Sequence, residues 1–152
     1  MKLIFRMFVA GIAMIIATTA AASVVLNQAS KKPAVTYFEK EKVDAGFLKG
    51  AVLYANDKYQ VHTSRRDKAG VVEMHAKDAD IMYILSGTAT LVTGGMPVNV
   101  TTLSPGETRA TDIKGGETRQ LGSGDVIIIP AGTPHWFKEV PGPLTYYTVK
   151  TR

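Results

Sequence analysis

The chain carries three histidines and no cysteine, so a metal site or a proton-transfer site in it has to be built from imidazole and carboxylate rather than thiolate. In GVVEMHAKDADIMYILSG, residues 70–87, Glu73 and His75 are two apart. Side chains alternate faces along a strand, so these two point the same way, onto a face that is otherwise apolar if Val71 shares it. AKDA then reads as a turn, and Asp80 opens the run that ends at Leu85; a hairpin joining the two strands would set His75 beside Asp80 across the pair. GDVIIIPAGTPHWF, residues 124–137, supplies a second imidazole. Val126 to Ile129 reads as a strand covered on both faces, Pro130 ends its ladder, Gly132 permits a tight turn, and His135 starts the next strand near a barrel mouth. Burying Glu73 and Asp80 without a counter-charge costs several kcal/mol, and a divalent cation removes that cost. Glu73, His75, Asp80 and His135 are therefore the candidate metal ligands. The alternatives are a core histidine at each imidazole position and, for Glu73, a general base. Asp78 is a weaker candidate, since it sits inside the turn.

These side chains are positioned by short elements. From Ala51 onward the chain is a succession of apolar or alternating runs, such as AVLYAN, KYQVHTS, TATLVTGG, PVNVTTL and LTYYTVK, rich in Val, Ile, Thr and Tyr and cut by turn residues. With no helix-length amphipathic segment between them, they predict an all-β sandwich or barrel. Gly94-Gly95 is a hairpin signal and Gly122 to Asp125 a tight turn. The tetrapeptide GETR occurs at 106–109 and again at 116–119, which reads as two similar strand ends rather than a repeat. The segment 37–50 fits either a short helical turn or an edge strand.

Two motifs give this pattern a resemblance. The cupin superfamily is marked by Gly-x5-His-x-His-x(3 or 4)-Glu-x6-Gly and Gly-x5-Pro-x-Gly-x2-His-x3-Asn. The second is similar to Gly124, Pro130, Gly132 and His135, with Glu139 at the final Asn position. The first is similar in spacing to His75, Asp80 and Gly87, with Glu73 at the first His position and Asp80 at the Glu position. The resemblance covers roughly residues 45–152 and implies a single cupin β-barrel, that is, a double-stranded β-helix or jelly roll. It implies one divalent metal in the barrel, held by two imidazoles and two carboxylates where the family has three His and one Glu. Asp is a methylene shorter than Glu, so Asp80 either reaches the metal directly or orients His75 from behind. Such a ligand set suits Mn, Fe, Ni, Co or Zn, with Cu and Zn favoured by raw affinity. Small cupins commonly pair, so the resemblance also implies a possible homodimer.

At 152 residues there is room for one domain. Residues 1–22 precede it: Lys2 and Arg6 lead an apolar run into small residues with an Ala-x-Ala site at Ala20 and Ala22, the order of a signal peptide. An uncleaved anchor is the alternative, since the uncharged stretch from Met7 to Leu26 has about the 20 residues that span a bilayer. Residues 23–44 read as a linker and N-terminal edge segment, and 45–152 as the cupin domain. The expected location is outside the cytoplasm, periplasmic or secreted, with membrane contact only if the leader is retained. The net charge is +5, two of it from Lys2 and Arg6, and it is too scattered to indicate nucleic acid.

Met82, Tyr83, Phe137, Tyr147 and His62 are the candidate pocket residues, while Trp136 fills the barrel or its rim. Arg65 and Arg66 could bind a substrate carboxylate or simply form a solvated pair. The function expected is an exported metal-binding protein with a small-molecule ligand or substrate. The alternatives are a metal-dependent dioxygenase, isomerase or lyase, and a non-catalytic periplasmic ligand-binding module; fold alone does not choose between them.

Overall fold

The computed structural model describes residues 34–152. The segment read as signal or anchor, and the linker up to residue 33, lie outside the described residues. Among the described residues no helix is long and apolar enough to cross a membrane.

The ambiguous segment 37–50 forms a helix, α1 (Lys40–Lys49). The backbone carbonyl of Glu39 accepts from the N–H groups of Lys42 and Val43 at its start, and Gly50, with φ of 76°, ends it in a conformation that L side chains rarely adopt. One face lies on the sheet: Gly46 comes so close that a Cβ there would stand 2.6 Å from Thr63 Oγ1. Phe47 meets Tyr147 edge-on, with ring centroids 5.0 Å apart.

Everything else is antiparallel sheet. One sheet has the order β1 (Ala51–Ala55), β2 (Tyr59–Arg66), β13 (Leu144–Thr151), β4 (Ala79–Ser86), β11 (Val126–Ile129). The facing sheet runs β10 (Glu117–Leu121), β5 (Ala89–Thr93), β12 (His135–Glu139), β3 (Val72–His75), β8 (Glu107–Ala110), β7 (Thr101–Ser104). β6 (Met96–Val98) and β9 (Asp112–Lys114) form a small ribbon. This is an all-β jelly-roll fold, and the space between the sheets is filled mostly by inward-facing side chains of the central strands. Ile84, Leu91 and Leu144 are fully buried there, with Phe137 and Tyr146 beside them.

Three local expectations change. β3 and β4 do not form a hairpin, because they belong to opposite sheets; His75 and Asp80 face one another across the interior instead. Gly94-Gly95 does not close a hairpin between β5 and β6. Both glycines have positive φ, 72° and 70°, and bend one long ribbon whose halves pair β5 with β10 and β6 with β9. The run from Val126 to Ile129 is not covered on both faces: side chains alternate along β11, and Val126 and Ile128, 62% and 66% exposed, point to solvent while Ile129 is buried. A continuous apolar run resembles a doubly covered strand even when one of its faces is left to solvent.

Candidate metal centre

β3 and β12 lie side by side with His135 opposite Glu73, so the two-residue step from Glu73 to His75 brings three potential ligands onto one patch. The loop before His135 is tied to the end of β3: the Gly132 N–H donates to the His75 carbonyl at 2.7 Å. Glu73, His75 and His135 each turn one ligand atom to a common point, all within 4.8 Å of one another. Asp80 approaches from the opposite sheet, its Oδ2 3.6 Å from His75 Nε2 and 3.7 Å from His135 Nε2. His75, His135 and Asp80 are 6%, 3% and 3% exposed.

Both imidazoles are held from behind. Nδ1 of His75 lies 2.8 Å from Glu107 Oε2, and Nδ1 of His135 lies 3.0 Å from the Thr133 carbonyl. Carboxylate and carbonyl oxygens are acceptors, so Nδ1–H donates in each ring, and in the neutral tautomer this leaves the lone pair on Nε2. Among the described residues, Nε2 of His75 is buried without a hydrogen-bond partner. Glu107 thus does what the sequence offered as one role for Asp80. Burial pushes His135 below the ordinary histidine range, and the Thr133 carbonyl and Asp80 oppose this only in part, so its neutral, ligating form is favoured.

The carboxylates already have counter-charges. Glu73 Oε1 accepts from Arg66 Nη2 at 2.8 Å, and Arg109 Nη2 stands 3.5 Å from Oε2. Burial raises the Glu73 carboxyl, but Arg66, joined by Arg109, outweighs it and holds the group below the usual carboxylate range. Lys150 Nζ donates to Asp80 Oδ1 at 2.6 Å. Asp80 therefore gives one oxygen to a cation and keeps the other near the imidazoles, while the Glu73 oxygen nearest His75 also has Arg109 3.5 Å away. The cost of burying them, which the sequence suggested a metal would remove, is met at least in part by Arg66, Arg109 and Lys150.

A cavity of about 150 Å³ opens beside this cluster. Of the expected pocket residues, Met82, Phe137 and His62 line it. Tyr83 and Tyr147 do not, because strand parity turns them outward: Tyr83 is exposed between Met82 and Ile84, and Tyr147 packs on α1 while its neighbour Tyr146 faces in. Trp136 is only partly buried and donates from Nε1 to the Gly70 carbonyl. His62 lies 3.0 Å from Gln60 Oε1 and lines the cavity without joining the ligand cluster. Arg65 and Arg66 part company: Arg65 pairs with Asp67 outside, whereas Arg66 enters the cavity, donates from Nε to Tyr146 Oη at 2.9 Å and lies over the Phe137 ring. Asp78 is turned toward Arg152, and Glu139, at the motif position that departs from Asn, accepts from Thr90 far from the cluster.

The sequence reading missed Glu107, Arg109, Tyr146 and Lys150. The one signal for the first two was the doubled GETR, whose first copy contains both.

No family profile and no curated protein matches the sequence. Among solved structures, BH2720 from Bacillus halodurans is similar over 81% of this chain and 83% of that one, at 16% identity and a TM-score of 0.54. A cupin 2 conserved barrel domain protein from Rhodopseudomonas palustris is similar over 67% and 59%, at 19% identity and 0.46. KdgF from Halomonas sp. is similar over 67% and 77%, at 14% identity and 0.48. At these identities the likeness is one of fold.

Proposed function

From a jelly-roll fold of the cupin type, with two imidazoles and a carboxylate turned on one point inside it, we propose that the chain is an exported protein that binds one divalent transition metal. Glu73, His75 and His135 hold it, Asp80 Oδ2 stands as a fourth contact, and a small molecule occupies the adjoining cavity. The observation that carries this reading is the pair of imidazoles, each fixed through Nδ1 with Nε2 left facing the other three groups. Ligands about 2.1 Å from a tetrahedral ion are about 3.4 Å apart; the Glu73–His75 spacing and those from Asp80 to the two histidines are 3.6–3.9 Å and the triad lies within 4.8 Å, so the groups would draw in by up to about 1.4 Å on an ion. Mn, Fe, Co, Ni, Cu and Zn are all compatible with imidazole and carboxylate donors. When bound, such a metal supplies Lewis acidity to an oxygen of the small molecule. Glu73 suits the role of ligand better than that of general base, since a carboxylate held below its usual range is a weak base at neutral pH.

Elemental analysis of the purified protein, with His75→Ala and His135→Ala as partners, tests the proposal. Stoichiometric metal in the wild type and at least tenfold lower occupancy in both variants are expected. A wild type without stoichiometric metal, or two variants that retain it, overturns the reading.

A further inference from the structure

The charge balance of the cavity changes once a cation enters, and that change, which rests on the metal reading above, identifies the second ligand. In the structure the two carboxylates facing the cavity are matched by two cations, Glu73 by Arg66 and Asp80 by Lys150. Behind the ligand patch Glu107 and Arg109 match one another. A divalent ion on Glu73, His75 and His135 adds two positive charges beside the buried side chains of His75, His135 and Asp80, and a buried surplus of that kind is costly unless a counter-ion accompanies it.

The wall opposite the ligands is built to receive one. Arg66, Tyr146 and Lys150 line the cavity from the sheet that faces β3 and β12. Arg66 is fixed in plane by Tyr146 Oη, by Glu73 and by the Phe137 ring 4.6 Å below it. Gly70 leaves room for it, since a Cβ there would come within 2.6 Å of Nη1. Two of its five N–H donors and one of the three on Lys150 are engaged, which leaves donors for an anion. Met82 on this wall and Phe137 on the ligand side are apolar among the polar His62, Ser64 and Thr148, which leaves a place for a short carbon stem bearing polar groups. A cavity of about 150 Å³ accepts a molecule the size of benzene, about six non-hydrogen atoms.

We infer that the second ligand is a short organic carboxylate of about this size, its carboxylate group on Arg66, Tyr146 and Lys150 and its other end toward the two Nε2 atoms.

Calorimetric titration of zinc-loaded and of chelated protein with lactate, with its neutral isostere lactamide, and with inorganic phosphate tests this. Lactate is expected to bind the loaded protein at least tenfold more tightly than lactamide or phosphate, and chelation to weaken it at least tenfold. Arg66→Lys, which keeps the charge and loses the fork, should weaken lactate at least tenfold with stoichiometric zinc retained. Tyr146→Phe should weaken it severalfold, and carries the test if Arg66→Lys loses zinc. Lactate no tighter than lactamide, or phosphate as tight as lactate, overturns the inference while stoichiometric zinc leaves the metal reading standing. A loaded sample without bound zinc overturns both.

Discussion

The same four residues, Gly-Glu-Thr-Arg, occur twice in this chain and have opposite fates. At 106–109 they enter β8, an interior strand beside β3, in a register that sets Glu107 against His75 and Arg109 against Glu73. At 116–119 they enter β10, the edge of the same sheet, where Glu117 lies opposite Thr93 and pairs with its own strand neighbour Arg119. In the first copy a carboxylate orients a buried imidazole and a guanidinium helps hold a buried carboxylate. In the second the two charges meet each other in solvent. The difference lies in the adjoining strand, since cross-strand partners decide what a strand side chain can do.

The comparison can be broken or sharpened by substitution in pairs. The largest difference is expected in metal affinity. Glu107→Gln should weaken binding about tenfold to a hundredfold, the usual cost of losing a partner that orients a ligating histidine, while Glu117→Gln leaves it unchanged in a competition titration with a chelator. Equal effects would remove Glu107 as the specific support of His75.

The leading glycines come next. Gly116→Ala should cost about 2 kcal/mol in denaturant unfolding, because the new methyl would stand 2.7 Å from Val92 Cγ1 and 2.8 Å from Ile113 Cγ2 inside packed core. Gly106→Ala should cost about 1 kcal/mol for a different reason: a Cβ there would meet Ala76 Cβ at an ordinary 3.7 Å, but φ is 87°. The arginines should differ less. Arg109→Met is expected to cost about 1 kcal/mol and Arg119→Met under about 0.5 kcal/mol, since the first guanidinium lies between two site carboxylates and the second pairs in the open.

The smallest effect is one of pH, measured on metal-free protein. Burial pushes Glu73 up but Arg66 and Arg109 pull its folded-state value below the ordinary one. A carboxyl shifted that way adds stability above its unfolded value, near pH 4.3, and loses it as pH falls through the folded value. Arg109→Met should shrink this acid-side loss in thermal melts, whereas Arg119→Met should leave it as in the wild type. Identical acid limbs in the wild type and Arg109→Met would remove Arg109 from the account.

Much of the fold could be read from pattern, because alternation and turn residues are local properties. Turn chemistry at Gly122 to Asp125 agrees with the structure, where Gly122 and Asp125 bond each other across the turn. Parity placed Glu73 and His75 on one face, and the same rule, applied with the right register, explains why Tyr146 faces the cavity and Tyr147 the helix. What misled was contact at long range. AKDA reads as a hairpin turn, yet the strands on either side of it belong to opposite sheets. An apolar tetrad does not say which of its faces has a neighbour, and in β11 only the face of Ile127 and Ile129 turns toward the interior.

The sequence by itself determined the strand character of the chain, the shared face of Glu73 and His75, and the loop chemistry that delivers His135 at the start of a strand. Each depends on neighbours one to six positions away, where backbone geometry is fixed by residue type. Only the tertiary structure decided that Arg66 turns in while Arg65 turns out, that Lys150 meets Asp80 70 positions away, and that one GETR serves an imidazole while the other faces water. Those outcomes depend on which strands become neighbours and in what register, a property of the folded sheets that no short stretch of sequence contains.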